Sequence, residues 1–357
     1  MSPRTTNVAS PTDHPDKASE YAAAARIALE DFIRVRQAVA WIEVEATLSE
    51  KANIGYDEAV HMPHSLTEAK KQLLTTGRIR ERTSDDGLSV LTSPELSPRS
   101  AKIQRKRALM RRYQSWASTK RYVGPAAERA VTASIVKSGA LQLPTQGGQV
   151  HEALGYVFDG PLDSGGFLPV IPADNPANYT LIFCPIEVKN IREWIYPHSR
   201  QLYQLLDKSA KLQEHSPQFP IHPVLLCRRC HYTTFFMAKQ LGFKVLELER
   251  QYLDRRAVSG PHGDSHLQEV RAELGLMDLV PLEPSVESDG DKVVVKWFSK
   301  SLPKYAVEAS AAWRMTVDRG LHERFGQMRH ANGNAERTEV LNEIRRRARE
   351  LGLRGGW

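Results

Sequence analysis

The sequence predicts an α/β domain over residues 122–255, with a helix-and-hairpin module before it and a mostly helical region after it. Three observations predict this. Strand-like and helix-like patterns alternate from Pro125 to Leu248. Upstream, a helix ends at Gly77 and is followed by a basic hairpin. Downstream, apolar residues recur at helical spacing through 303–327 and 335–351.

Composition sets the limits. The chain has 357 residues, 41% of them hydrophobic and 25% charged, which suits a globular protein of roughly two or three domains. Lys and Arg number 49 against 42 acids, a net charge of +7, which favours an anionic partner. No run of 18 uncharged apolar residues is present, so no membrane helix is expected. The polar N-terminus without an apolar stretch and the three cysteines suit a reducing, cytoplasmic setting.

Residues 1–19 are rich in Ser, Thr, Pro and Asp and read as a disordered tail. A first domain is expected over 20–95. Ala25, Leu29, Phe32, Ile33, Val39, Trp41 and Leu48 suit one or two helices. Tyr56–Thr76 reads as two short helices broken at Pro63. The second carries Leu66, Ala69, Leu73 and Leu74 on one side and Lys70, Lys71 and Gln72 largely on the other. Arg78 to Thr92 then reads as two strands around an Asp86-Gly87 turn. Over residues 25–93 this pattern resembles a winged helix-turn-helix domain. The resemblance implies a helix in the major groove and a wing on the backbone, with Lys70, Lys71, Arg78 and Arg80 as DNA contacts. A small packing module with a solvated hairpin fits the same pattern.

Residues 96–121 read as a basic linker helix. From Arg99 to Arg121 there are nine Lys or Arg and no acid, with Tyr113 and Trp116 interleaved. Such a one-signed run can neutralise phosphates, with Arg105, Lys106, Arg111 and Arg112 as candidate nucleic-acid contacts. It equally suits a helix facing acidic protein surface.

In the α/β domain, Pro125–Ser138 is a helix stopped by Gly139, and residues 150–190 are strand-like. Residues 199–213 and Tyr232–Leu241 are helices, and Pro223–Cys227 and Lys244–Leu248 strands. The acidic stretch 281–291 reads as a loop and Val293–Phe298 as a short strand within the mostly helical region 256–357.

The candidate chemistry lies in Thr180-Leu-Ile-Phe-Cys-Pro-Ile-Glu-Val-Lys-Asn190. Period-two alternation puts Glu187 and Lys189 on one face at the end of an apolar strand. Burying a carboxylate and an ammonium there has a cost unless they are matched or a metal is bound. Asp163 lies 24 positions before Glu187, and a turn between neighbouring strands can return it to Glu187. Asp159 is its rival, and Glu128 on the first helix is a third carboxylate. Pro185 suits an edge or a bulge better than a central strand.

A helix with Glu, then Asp, then Glu-x-Lys on a strand, then a Gln-bearing helix and a strand–helix–strand close resembles the restriction-endonuclease-like PD-(D/E)XK phosphodiesterase superfamily, in its Holliday-junction-resolvase and Mrr-type forms. The likeness covers about 130 of the 357 residues. It implies a mixed sheet flanked by helices and Mg²⁺- or Mn²⁺-dependent hydrolysis of DNA phosphodiesters, leaving a 5′-phosphate and a 3′-hydroxyl, in restriction, repair or mobile-element biology. Carried over, Asp163 and Glu187 match the metal carboxylates, Lys189 the catalytic lysine and Glu128 the helical acid. Gln204 matches the glutamine of the following helix, with Gln201 as its rival. Relatives of this kind commonly act as homodimers. The alternative is a non-catalytic DNA-binding or regulatory protein with a structural α/β domain, and an RNA-directed protein shares the basic segment.

Cys227-Arg-Arg-Cys230-His231 matches the attachment pattern of c-type haem, but it falls at a strand-to-helix junction and lacks the second ligand pair of a zinc site. Its Arg228 and Arg229 are expected to face DNA. His198 reads as a phosphate contact or a helix cap, and Trp194 and Tyr196 as core edge or stacking platform. Phosphate-binding-loop and Gly-x-Ser-x-Gly motifs are absent from the sequence.

Overall fold

The structure, a computed structural model, describes residues 15–50, 61–117, 119–144, 148–171, 179–354 and 357. It is a mixed α/β protein in two compact units. One comprises the chain up to Trp116 together with Val258–Leu279, the other Ala117–Ala257 and Val280–Trp357.

The first unit begins with α1 (Pro15–Arg36), so the expected tail over 1–19 is helical from Pro15, and residues 1–14 lie outside the described residues. There follow β1 (Ala38–Ala40), α2 (Trp41–Leu48), α3 (Pro63–Thr75), β2 (Arg80–Thr83), β3 (Ser89–Thr92) and α4 (Ala101–Trp116). The strands form an antiparallel sheet in the order β1-β3-β2. Pro63 opens α3, because its missing N–H is a donor that the first turn leaves unused. The helix expected over 56–62 lies largely outside the described residues. Leu66, Ala69 and Leu73 of α3 pack on Leu29 and Ile33 of α1, which turns the polar side of α3 outward. Gly77 (φ +67°) ends the helix and Gly87 (φ +79°) turns the hairpin.

The second unit begins with α5 (Gly124–Ser138), which ends at left-handed Gly139. The hairpin β4 (Val150–Ala153) and β5 (Tyr156–Leu162) comes next. Then follow β6 (Ser164–Val170), β7 (Thr180–Lys189), α6 (Arg200–His215), β8 (Val224–Cys227), α7 (Tyr232–Leu241), β9 (Lys244–Glu247) and β10 (Gln251–Leu253). The central sheet has the order β6-β7-β8-β9 and is mixed: β6 runs antiparallel to β7, while β7, β8 and β9 are parallel. Parallel neighbours need crossovers, which α6 and α7 supply. Alternation along β7 divides the core. Phe183 joins the layer of α6 and α7, and Ile182, Cys184, Ile186 and Val188 join that of α5.

The chain then enters α8 (Gly263–Leu274), part of the first unit, before β11 (Leu279–Pro281) pairs with β10 where the chain re-enters the second. Among the described residues, five α-helices follow: α9 (Pro284–Asp289), α10 (Lys292–Lys296), α11 (Leu302–Asp318), α12 (Phe325–His330) and α13 (Asn334–Glu350). The division therefore departs from the expected boundaries. The basic helix α4 belongs to the body of the first unit, and most of 256–357 packs into the second.

Two expectations are overturned here. The stretch 281–291 contains α9, and Val293–Phe298 is helical. Asp291 explains the second case, since its carboxylate accepts from the amides of Val293 and Val294 and so caps α10. Val294 and Phe298, four residues apart, then bury among the α5 side chains.

Candidate active site

The site residues lie where β7 ends. The register of β6 on β7 pairs Ser164 with Ile186, so Asp163, one residue earlier, arrives opposite Glu187. The Val188 amide donates to Asp163 Oδ2 at 2.7 Å. Lys189 Nζ donates to Glu187 Oε2 at 2.6 Å and to Asp163 Oδ2 at 3.4 Å. From α6, Lys208 Nζ donates to Glu187 Oε1 at 2.7 Å and to the Pro161 carbonyl at 2.6 Å. Glu187 and Lys208 are both buried.

Electrostatics follow from this packing. Burial, then the adjacent Glu187 charge, pushes the Asp163 carboxyl up to about 7, and the two carboxyl groups hydrogen-bond. Burial alone would raise Glu187 too, but the ammonium groups of Lys189 and Lys208 outweigh it and hold Glu187 ionised. Glu128, from α5, is raised by burial and feels the charges of both Lys189 and Glu187, so it belongs to the same electrostatic cluster. The Lys189 ammonium is disfavoured by burial, and the two carboxylates more than restore it.

The structure thus brings Asp163, Glu187 and Lys189 into contact, with Glu128 within electrostatic reach. Asp159 is elsewhere: it pairs with Arg329, which also binds Asp207. The α6 side chain that reaches Glu187 is Lys208, while Gln204 lies one turn nearer the helix N-terminus and Gln201 in the first turn. Lys208 went unnoticed in the sequence, although a signal was there. It falls in the spacing Leu205, Lys208, Leu212, an ammonium on an apolar helix stripe. Asn190 fixes the strand end, its Nδ2 donating to the carbonyls of Val123 and Tyr252 at 2.7 and 2.8 Å. Pro185 sits in an internal strand, contrary to expectation, opposite Gly165 and one residue before the continuous pairing with β8 begins at Ile186.

The donor set of Asp163, Glu187 and Glu128 is all oxygen, the chemistry a hard divalent cation needs. Two carboxyl groups crowded enough to share a proton are also a place where a cation replaces that proton. Among the described residues no group of three or more His, Cys, Asp or Glu stands arranged around one ion position, so Glu128 would have to approach for all three to ligate. Cys227 and Cys230 are buried, and their mutual hydrogen bond, with burial, raises the Cys227 thiol well above its usual value.

The expected nucleic-acid contacts divide. Lys71 and Arg80 are exposed. Lys70 pairs with Glu81, Arg78 with Glu30 and Arg111 with Asp86. Arg105 and Arg112 pair with Glu269 of α8, and Lys106 is buried against Glu43 at 2.9 Å. Four cations of the one-signed run, Arg105, Lys106, Arg111 and Arg112, are therefore matched by acids distant in sequence, and Lys106 is not a surface cation. Arg228 is also a correction. It is fully buried and donates to the carbonyls of Ile191 and Arg192, clamping the turn after β7. Arg229 is half-buried, 3.7 Å from Glu249.

Comparisons with family models, with curated proteins and with solved structures found no match to this chain.

Proposed function

We propose that this protein is a divalent-metal-dependent DNA endonuclease of the PD-(D/E)XK type, working in restriction, repair or a mobile element. The observation that carries the reading is the convergence of Asp163, Glu187 and Lys189 at the end of β7, with Glu187 held charged by Lys189 and Lys208. The order helix, hairpin, antiparallel β6-β7 pair, crossover helix and parallel β8 supports it, with Glu128 on that first helix.

Asp163, Glu187 and Glu128 are the residues that would hold Mg²⁺ or Mn²⁺, which when bound supplies positive charge at the phosphoryl group and a more acidic water. Asp163, raised by burial and by Glu187, would hold the cation in its ionised form. Lys189 donates hydrogen bonds towards the attacking water or a non-bridging phosphoryl oxygen, stabilising the charge that grows during in-line attack. Lys208 keeps Glu187 ionised and fixed in rotamer, and so acts through Glu187.

The first unit runs helix, strand, helix, helix, strand, strand, with the sheet order β1-β3-β2. That order supports a winged helix-turn-helix module, in which α3 offers Thr67, Lys71 and Gln72 from its exposed face to a groove. It would hold the DNA that the second unit cuts, and two-strand cleavage would engage a second copy of the chain.

The test is cleavage of supercoiled plasmid and branched oligonucleotides with Mg²⁺ or Mn²⁺, against EDTA, by wild type and Lys189→Ala. Metal-dependent cutting that the substitution abolishes is the expected result. DNA binding without cutting, identical in both proteins, would transfer the case to a non-catalytic DNA-binding protein.

A further inference from the structure

We propose that an aromatic surface beside this site, built from Tyr196, His198, Tyr232 and Phe236, stacks unpaired bases, so that the DNA substrate carries a single-stranded or branched part. The substrate assignment rests on the nuclease reading above.

Four rings follow one another at the start of α6 and α7. His198 and Tyr196 are stacked at 5.4 Å and 18°, Tyr196 and His231 at 4.9 Å and 25°, and His231 meets Tyr232 at 4.4 Å. His231 is the buried centre, and half-buried His198 and Tyr232 are the ends. Tyr232 continues edge-on to Phe236 at 6.0 Å. His198, Tyr196 and His231 form the stack, with Tyr232 tilted by 42° against it, and its half-buried His198 end offers the next place to a flat ligand.

The outward side of α7 extends this surface. Thr234, Met237, Ala238 and Leu241 face the core, whereas Phe235 is 39% and Phe236 53% exposed. With Tyr232 and exposed Lys239 they occupy positions i, i+3, i+4 and i+7, one stripe of the helix. The core does not need these phenylalanines, and water does not favour them.

The backbone ties this surface to the candidate active site. The Arg228 amide donates to the Lys189 carbonyl, the Ile195 amide to the Arg229 carbonyl and the His231 amide to the Ile195 carbonyl. From the Lys189 contact to the ring stack is thus three residues, at most about 10 Å of extended chain. A strand whose phosphate lay at Lys189 would therefore present a neighbouring base to the rings. Arg337 and Arg345 lie within electrostatic reach of His198 and Lys239 stands on the α7 stripe, so cations accompany the rings. Flat rings bordered by cations suit unpaired nucleotides, whereas a duplex keeps its base faces stacked inside and presents only edges and phosphates.

The experiment measures anisotropy of labelled oligo-dT, a forked oligonucleotide and a plain duplex with the full chain in EDTA, alongside the plasmid assay. Wild type should bind the first two more tightly than the duplex. Phe236→Ala and His198→Ala should each weaken oligo-dT binding by about tenfold and leave duplex binding unchanged, with Phe236→Tyr retaining the wild-type value. Oligo-dT binding indifferent to both alanine variants, in a protein that still cuts with metal, overturns the stacking surface and leaves the nuclease standing. A change in self-association in place of oligo-dT binding, read by sedimentation, also overturns it and makes the surface a protein contact. Ring-dependent binding by a chain that cuts no substrate overturns the substrate assignment together with the nuclease.

Discussion

Lys208→Met removes one of two cations from Glu187 while keeping the length of the side chain. The Glu187 side chain is 2% exposed and that of Lys208 7%, so solvent cannot replace the lost charge. Breaking a buried ion pair from one side costs about 3–5 kcal/mol. Glu187 keeps Lys189 at 2.6 Å and the Asp163 carboxyl beside it, which places the expectation at the low end, about 3 kcal/mol at pH 7. The Pro161 carbonyl also loses a donor. Urea denaturation in EDTA reads this loss directly. The double variant Lys208→Met/Glu187→Gln should recover most of it, because a neutral amide does not require a cation. A loss below about 1 kcal/mol for the single variant, or a double variant no better than the single one, would refute the view that Lys208 serves the charge on Glu187.

Two more expectations follow from the ion pairs and the raised carboxyl. Lys106→Met should destabilise the first unit by about 3 kcal/mol, because Lys106 is buried against Glu43, whereas Arg111→Ala, which breaks a solvent-screened pair with Asp86, should leave stability nearly unchanged; chemical denaturation of both variants checks the contrast, and equal losses would contradict it. Asp163 titrates near 7 in the folded protein against 3.8 as its ordinary value, so the native state binds more protons between those values and stability falls as pH rises through that window, by on the order of 4 kcal/mol. In EDTA the urea midpoint should be lower at pH 8 than at pH 5, and Asp163→Asn should flatten the difference; a wild-type midpoint that does not move would show that the carboxyl carries no such burden.

Much of the second unit could be read from local pattern. Helix α7 spans Tyr232–Leu241, as the sequence suggested, because its polar cap and its Gly242 stop are both local. The pairing of Glu187 with Lys189 was visible for the same reason, since two residues apart on a strand means one face. What escaped was set by distant residues. Three consecutive valines at 293–295 favour a strand by propensity, but the Asp291 cap and burial among the α5 side chains override it. The acidic stretch before them looked solvated, yet Glu287 and Asp289 pair with Arg129 and Lys137 of α5. The basic run from 99 to 121 suggested phosphate because its counter-charges, Glu43 and Glu269 among them, are remote along the chain. Strand β1, three residues long, is too short for any period to register.

The passage of the chain through both units bears on how the protein is made. Helix α4 finds the partners of its arginines on α8, more than 150 residues later. A ribosome releases the N-terminal unit first, yet that unit lacks its closing helix until residue 279 has emerged. By then the central sheet of the second unit has been released in full and is free to form. Completion of the first unit therefore waits on a segment made after the second unit's central sheet, and the second unit is complete only with the helices of 280–357. A fragment ending at Trp116 would leave the α4 side chains without their counter-charges. One starting at Ala117 would carry α8 as an insertion with Leu267, Val270 and Leu274 uncovered. No single cut divides this protein into two self-sufficient parts, and separating them requires excising 258–279 and joining it to the N-terminal piece.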